Sequence, residues 1–270
     1  MPLPVRGAID RSNPPVLLLT GAANGIGRAT ARALATQGFR LGLMDRDAEP
    51  LIALERELQA AGAAVSARAV DVRDAEAVQR AVDELEAELG PTDILLACAG
   101  VGVISSSTQL ELGALRTMLE VNVLGVAHTI GAVVPRMFAR KSGHIVGISS
   151  VAGYRGMPWM PGYSASKSAL STYLEGLRPG FKRRGVRITT VYPGFVRTAL
   201  TQDTPFTQPV PMLEPEQAAH YLVRAVLRRP RDYVFPLSAR FGMGFLRVLP
   251  CWFYDRLMDY TGPRALTSEF

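Results

Sequence analysis

Residues 16–38 read VLLLTGAANGIGRATARALATQG, three patterns in unbroken succession. VLLLT, 16–20, is a short apolar run of the kind expected of a parallel strand covered on both faces. GAANGIG, 21–27, follows at once, and RATARALATQG, 28–38, has a helical pattern. Gly21, Gly25 and Gly27 are spaced G-x-x-x-G-x-G. Glycines let a backbone turn sharply and approach a pyrophosphate, and a helix N-terminus adds free N–H groups and a positive dipole. Strand, glycine turn and helix together are the setting that a dinucleotide site requires. The bland alternative is a plain strand-to-helix turn.

The same alternation extends downstream. FRLGLMD, 39–45, is a second strand ending on Asp45. Residues 47–61 form an amphipathic helix with Leu51, Leu54 and Leu58 on one face, stopped by Gly62. AVSARAVD, 64–71, is a third strand, 74–89 a helix, and TDILLACAG, 92–100, a fourth strand. A long helix over about 109–139 precedes a strand at 144–149. A helix follows at 161–183, which Pro179 should end or kink. VRITTVYPG, 186–194, is the sixth strand. Residues 196–213 hold several Pro and read as a mobile loop or lid. A helix at 214–229 and the strand RDYVFP, 231–236, complete the series. Helices between successive strands predict an α/β fold with a doubly wound parallel sheet of seven strands, one domain over 15–236. Residues 1–14 read as a flexible arm, and 237–270 as an atypical helical extension on the substrate side or at an interface.

Composition narrows the class. Of 270 residues, 48% are hydrophobic, enough for a substantial core. Cys98 and Cys251 sit among apolar neighbours and read as buried thiols in a reducing, cytoplasmic compartment. The histidines at 128, 144 and 220 are scattered, so no metal site is expected. The net charge of +6 reads mainly as solvated helix ends and loops, with no nucleic acid partner expected; a basic patch for anionic lipid, nucleotide or nucleic acid is the minority reading. The N-terminus lacks the apolar core of a signal peptide. No uninterrupted run of about 18 apolar residues occurs, so no spanning helix is expected.

Two further features carry chemistry. In GYSASKSA, 162–169, Tyr163 precedes Lys167 by four, so on a helix the two share a face. A cation there should lower the phenol pKa and suit it to acid/base work. Asp45 lies about 20 residues past the glycines, where a carboxylate accepts hydrogen bonds from the adenosine ribose and repels a 2′-phosphate. That favours NAD(H), with NADP(H) as the alternative. Arg46 reads as a surface charge or as a grip on that phosphate.

Together these residues resemble the short-chain dehydrogenase/reductase family, over residues 15 to about 200. The matching motifs are TGAANGIG (20–27), Asp71-Val72, Ala99-Gly100, Asn122 in EVNVLG, GISSVAG (147–153), YSASK (163–167) and PGFVRT (193–198). The resemblance implies a Rossmann-type fold and an NAD(P)-dependent enzyme acting on a carbonyl or secondary alcohol. It implies Tyr163 as general acid/base and Lys167 as the group that holds the nicotinamide ribose and tunes Tyr163. Ser150, thirteen residues before Tyr163, is similar to the serine that bonds the substrate oxygen, with Ser149 as the neighbouring candidate. Asn122 resembles the asparagine that holds a water in the proton path. Gly21, Asn24, Gly25, Ile26, Gly27, Asp45, Arg46, Asp71, Val72, Ala99 and Gly100 match cofactor positions, as do Tyr163, Lys167, Pro193, Gly194, Val196 and Thr198. The alternative is a silent nucleotide-binding regulator of the same fold, which would not need all four of Ser150, Tyr163, Lys167 and Asn122.

Two departures stand out. Ala97 and Cys98 replace asparagines found in many relatives. The C-terminal tetramer segment of many relatives is also unmatched, so a homo-oligomer is expected, a dimer rather than a tetramer. Residues 241–258, FGMGFLRVLPCWFYDRLM, are aromatic and aliphatic instead. Phe241, Phe245, Leu246, Leu249, Trp252 and Phe253, flanked by Arg240, Arg247 and Arg256, read either as helices packed over the cleft or at a subunit interface, or as a peripheral membrane contact or an entrance for a lipophilic substrate. Tyr154, Met157, Trp159 and Met160 are expected to line the substrate side, which points to a hydrophobic small-molecule substrate.

Overall fold

A computed structural model of the chain describes residues 12–105, 110–198, 201 and 212–261. The apolar runs become β1 (Val16–Thr20), β2 (Arg40–Asp45), β3 (Val65–Ala69), β4 (Ile94–Ala97), β5 (Gly143–Ile148), β6 (Val186–Pro193) and β7 (Asp232–Phe235). They form one sheet in the order β3-β2-β1-β4-β5-β6-β7, with every neighbouring pair parallel. Side chains alternate along each strand. Leu17, Leu19, Leu41, Leu43 and Leu96 face a layer made by α1 (Gly25–Ala35), α2 (Ala48–Ala60) and α7 (Pro215–Arg228). Val16, Leu18, Leu95 and Ile145 face α3 (Ala75–Leu89), α5 (Val126–Arg140) and α6 (Pro161–Arg183). Val16 through Leu19 have no exposed surface, as a central strand covered on both sides requires.

The strand order reverses between β1 and β4, and the chain leaves these strands in opposite directions. That opens a crevice at their C-terminal ends, the usual ligand position of a doubly wound sheet. β4 is shorter than the expected 92–100. Thr20 Oγ1 accepts from the N–H of Cys98 (3.1 Å) and of Ala99 (3.2 Å), drawing those amides out of the strand ladder and toward the glycine turn.

Several local expectations change. The helix expected over 109–139 divides into α4 (Leu112–Leu119), a π-helical stretch (Glu120–Gly125) and α5; residue 109 lies outside the described residues. Pro179 does not end α6, which runs on to Arg183. Pro179 and Glu175, whose carbonyl loses its usual partner, are both exposed, so water can solvate that oxygen. The segment Leu112–Arg140 is 29 residues long, with a window of mean hydropathy 1.5, long and apolar enough to cross a bilayer by those measures. Polar residues interrupt it, so it contains no uninterrupted apolar run of that length. In this structure 56% of that window is buried inside the protein.

The lid expected at 196–213 lies mostly outside the described residues. Its ends are tied together: Arg197 N–H donates to Leu213 O (2.8 Å) and Leu213 N–H to Phe195 O (2.9 Å). The tail forms two helices, α8 (Leu237–Val248) and α9 (Cys251–Thr261). Cys98 is half-buried, but Cys251 is exposed, contrary to the reading from its apolar neighbours. Those neighbours are themselves uncovered.

Candidate active site

The glycine turn shows why Gly21 and Gly27 are needed. Gly21 (φ +72°) adopts a left-handed conformation, and a Cβ there would meet the Ala99 backbone at 2.7 Å. Gly27 has ordinary dihedrals, but its Cβ would sit 1.8 Å from Gly21 O. The turn therefore folds flat against the start of α1. Asn24, the N-cap of α1, makes no side-chain cap, and the first turn carries no acid. Its Nδ2 donates instead to Asp47 Oδ2 (3.1 Å). The positive end of α1 is left for an anion.

Every residue that the sequence reading assigned to a cofactor lines one cavity of about 330 Å³ that begins at this turn. Asp45 is fixed on its wall, with Oδ2 accepting from Ala23 N–H (2.9 Å) and Oδ1 from Asp47 N–H (3.0 Å). Arg46 is exposed and reaches Asp47 at 3.6 Å. Asp71 pairs with Arg73 (2.6 Å), whose hydrogen bonds hold the Asp71 carboxyl below its usual range. One cavity that joins a glycine turn and an uncapped helix end to carboxylates and to polar side chains fits a dinucleotide. Among the described residues, no group of three His, Cys, Asp or Glu is placed to hold a metal ion.

Ser150, Tyr163 and Lys167 meet on the same cavity. Ser150 caps a 3-10 turn (Val151–Gly153) that follows β5, its Oγ accepting from Ala152 N–H (3.1 Å). That turn packs so closely on α6 that a Cβ on Gly153 would lie 2.9 Å from Lys167 C. This contact brings the serine beside the helix that carries Tyr163. Ser149, the neighbouring candidate, is engaged elsewhere: its hydroxyl donates to Lys167 O (2.9 Å) and pairs with Ser171 Oγ (2.8 Å).

Lys167 Nζ donates to Ile148 O (2.9 Å) and stands 5.7 Å from the centre of the Tyr163 ring. Burial pushes its ammonium down to about 8. Burial likewise pushes the Tyr163 phenol up to about 12, with a hydrogen bond to Ser150 acting in the opposite direction. The expected lowering of the tyrosine pKa by Lys167 is therefore not what this arrangement produces. Desolvation disfavours both charged forms, and it outweighs a cation aimed at a carbonyl.

Asn122 is buried in the π-helical stretch and does not line the cavity. Its Oδ1 accepts from Val101 N–H (2.8 Å), while Nδ2 donates to Val101 O (2.8 Å) and Ser166 Oγ (2.9 Å). Ser166 in turn donates to Tyr163 O (2.8 Å). Both hydrogens of the amide are used, which leaves one Oδ1 lone pair for a water. Thr20 and Ser166 are structural partners that sequence reasoning missed. Ser166 lies inside YSASK, and that adjacency was the available signal.

Of the residues expected on the substrate side, Met160 lines the cavity. Tyr154, Met157 and Trp159 are not among its walls. Tyr154 stacks on Tyr192 (centroids 4.7 Å apart), and Met157 and Trp159 are buried with Val151, Ala152 and Tyr192 in an apolar cluster. Tyr163, Ala239 and Met258 pack against its edge.

Comparison with known proteins agrees with this geometry. A family model described as short chain dehydrogenase matches residues 15–208. An uncharacterized oxidoreductase of Myxococcus xanthus is 39% identical over 238 residues, covering 88% of this chain and 94% of that one. Estradiol 17-beta-dehydrogenase 11 of Pongo abelii is 32% identical over 238 residues, 87% of this chain and 79% of the other. Among solved structures, an alcohol dehydrogenase from the archaeon Thermococcus sibiricus, complexed with 5-hydroxy-NADP, superposes with a TM-score of 0.73. It is 28% identical and covers 82% of this chain and 95% of its own. With its parallel seven-stranded sheet, its glycine turn and its nicotinamide-binding relatives, the chain belongs to the short-chain dehydrogenase family of NAD(P)-dependent oxidoreductases.

Proposed function

We propose that the chain interconverts a carbonyl and a secondary alcohol on a hydrophobic small molecule, with Tyr163 as general acid/base. The observation that carries this reading is the convergence of Ser150, Tyr163 and Lys167 on the wall of the same cavity that the glycine turn lines. A bound nicotinamide cofactor supplies or accepts the hydride. The chain's own groups handle the proton and the developing charge. As a carbonyl carbon gains hydride, its oxygen becomes an alkoxide, and the Tyr163 hydroxyl gives up its proton to that oxygen. Ser150 is a second donor to the same oxygen, placed in advance of the charge. A phenol pushed up to about 12 stays protonated at neutral pH, the form that reduction needs. Lys167 remains a cation below about 8 and balances the phenolate left behind. Asn122 is a positioning residue, tying Val101 and Ser166 together behind the site.

Val151, Ala152 and Met160, the members of the apolar cluster that also line the cavity, support a hydrophobic substrate, as does the name of the relative called an estradiol dehydrogenase. Asp45, rigidly held on the cavity wall, supports NAD(H) over NADP(H), although the archaeal relative holds an NADP derivative. One sheet containing all seven strands supports a single domain, with α8 and α9 as an extension on its substrate side. Exposed Leu112, Leu119 and Leu124 support self-association. A hydrophobic substrate also fits a lipid-facing site of action, for which α8 and α9 carry an apolar face.

Tyr163→Phe tests the central claim. It should lower NAD(P)H-dependent ketone reduction by about a hundredfold to ten-thousandfold while leaving NADH binding intact. Unchanged turnover would overturn the assignment. For the cofactor, Asp45→Ala should bring NADPH affinity closer to that for NADH, and equal NADPH affinity in both proteins would remove the repulsion argument.

A further inference from the structure

Half of the large apolar side chains that stand exposed among the described residues lie on α8 and α9: Leu237, Phe241, Phe245, Val248, Trp252 and Phe253. On α8 they recur at intervals of four, four and three, which is one face of a helix. Phe241 is 71% exposed and Trp252 70%. The opposite side of the extension is fastened down. Ala239 packs against the apolar cluster beside Tyr163. Tyr254 is buried and donates to Gly156 O. Arg155 lies over the Tyr254 ring at 4.2 Å and donates to Leu249 O (2.7 Å). The stripe is therefore held outward by contacts made behind it.

The charges around the stripe indicate what covers it. α8 contains no Asp or Glu, and its Arg240 is exposed beside the stripe. On α9, Trp252 and Arg256 stand one turn apart on the outer side, both exposed, with Asp255 beside them. The whole chain carries a net charge of +6. Aromatic and aliphatic side chains bordered by arginine match the boundary between acyl chains and anionic headgroups. We propose that α8 and α9 dock this face on a bilayer containing anionic lipid, with the helices lying in the interface and no segment crossing it. The face backs onto the cluster at Tyr163, so docking would set the cleft beside the phase in which a hydrophobic substrate dissolves. This deepens the reading of substrate class given above, and the two can fail separately.

The experiment uses the full chain with phosphatidylcholine vesicles and with phosphatidylcholine–phosphatidylglycerol vesicles. The protein should sediment with the anionic vesicles, more weakly in high salt. Of the two tryptophans, Trp159 is buried, so emission should shift to shorter wavelength through Trp252, and Trp252→Phe should remove the shift. The double variant Phe241→Glu, Phe245→Glu should lose vesicle affinity by at least about tenfold, the loss expected when a single Phe stays in water. Its turnover of a small, water-soluble ketone should be unchanged, which reports an intact fold. Arg240→Ala with Arg256→Ala should remove the preference for anionic vesicles. No sedimentation with either vesicle, or equal binding by the Phe→Glu variant, would overturn the proposal. So would light scattering that shows the Phe→Glu variant dissociating an oligomer of a wild type that ignores vesicles. If vesicles bind but no ketone or alcohol is turned over, docking stands and the oxidoreductase reading of the site fails.

Discussion

Helix α1 follows β1 and helix α8 follows β7, two strands of the same sheet. Both have an apolar stripe. On α1 the stripe is made of Gly27, Ala29, Thr30, Ala31 and Leu34, all buried. On α8 it is Leu237, Phe241, Phe245 and Val248, all exposed. Small side chains let α1 lie close against the sheet and place its N-terminus at the cavity. Large side chains on α8 stand clear of the body, because the smaller Ala239 makes the inward contact. Periodicity announces that a face needs covering; it does not say what covers it.

Substitutions at matched places can break or sharpen this contrast. The largest effect is expected from Gly27→Ala, where the new methyl would sit 1.8 Å from Gly21 O. NADH titration should show affinity falling by more than about a hundredfold, since relieving that overlap moves the turn by more than overpacking normally tolerates. Leu34→Ala, in the buried stripe of α1, should cost about 2–5 kcal/mol in urea denaturation. Retained stability would mean that α1 is not tightly packed.

Burial in the body also acts on polar groups. His144 pairs its Nε2 with Thr189 Oγ1 (2.9 Å), and burial, with repulsion from Arg229 and Arg187, pushes its pKa down to about 3. An unfolded histidine titrates near 6.5. Between those values the unfolded chain binds a proton that the native chain does not, so stability falls as pH falls through about 6.5 toward 3. Urea titrations at several pH values should show a loss on the order of a few kcal/mol, flattened in His144→Gln. The smallest effects belong to the tail. Phe245→Ala should change stability by no more than about 0.5 kcal/mol. Gly244→Ala, where a Cβ meets nothing within 4 Å, should raise it by up to about 1 kcal/mol. A loss of several kcal/mol at Phe245 would show that the stripe is covered in solution by the protein itself.

Much of the fold was legible because it is written in local pattern. β1, the glycine turn and α1 fall where VLLLTGAANGIG places them, and the candidate cofactor residues from Gly21 to Thr198 meet at one cavity. What was not legible depends on distant partners. Thr20 Oγ1 shortens β4 from across the crevice. The π-helical turn at Asn122 arises inside an otherwise regular helical pattern. Pro179 reads as a breaker, yet sits where exposed backbone can be solvated. Met157 and Trp159 lie between two site residues in sequence, but their side chains are taken up by the cluster under the tail.

Sequence alone determined the alternation of strand and helix, the positions of the glycines, and the candidates Ser150, Tyr163 and Lys167. Each of these rests on spacing, which survives without knowledge of neighbours. Tertiary structure decided that, of two serines on the cavity wall, Ser149 has its hydroxyl tied to α6 while the Ser150 hydroxyl stands beside Tyr163. It decided that Tyr163 and Lys167 are shifted by lost water more than by each other. It also decided that the stripe of α8 faces outward. Desolvation and exposure are properties of everything packed around a side chain, and most of those neighbours are far away along the chain.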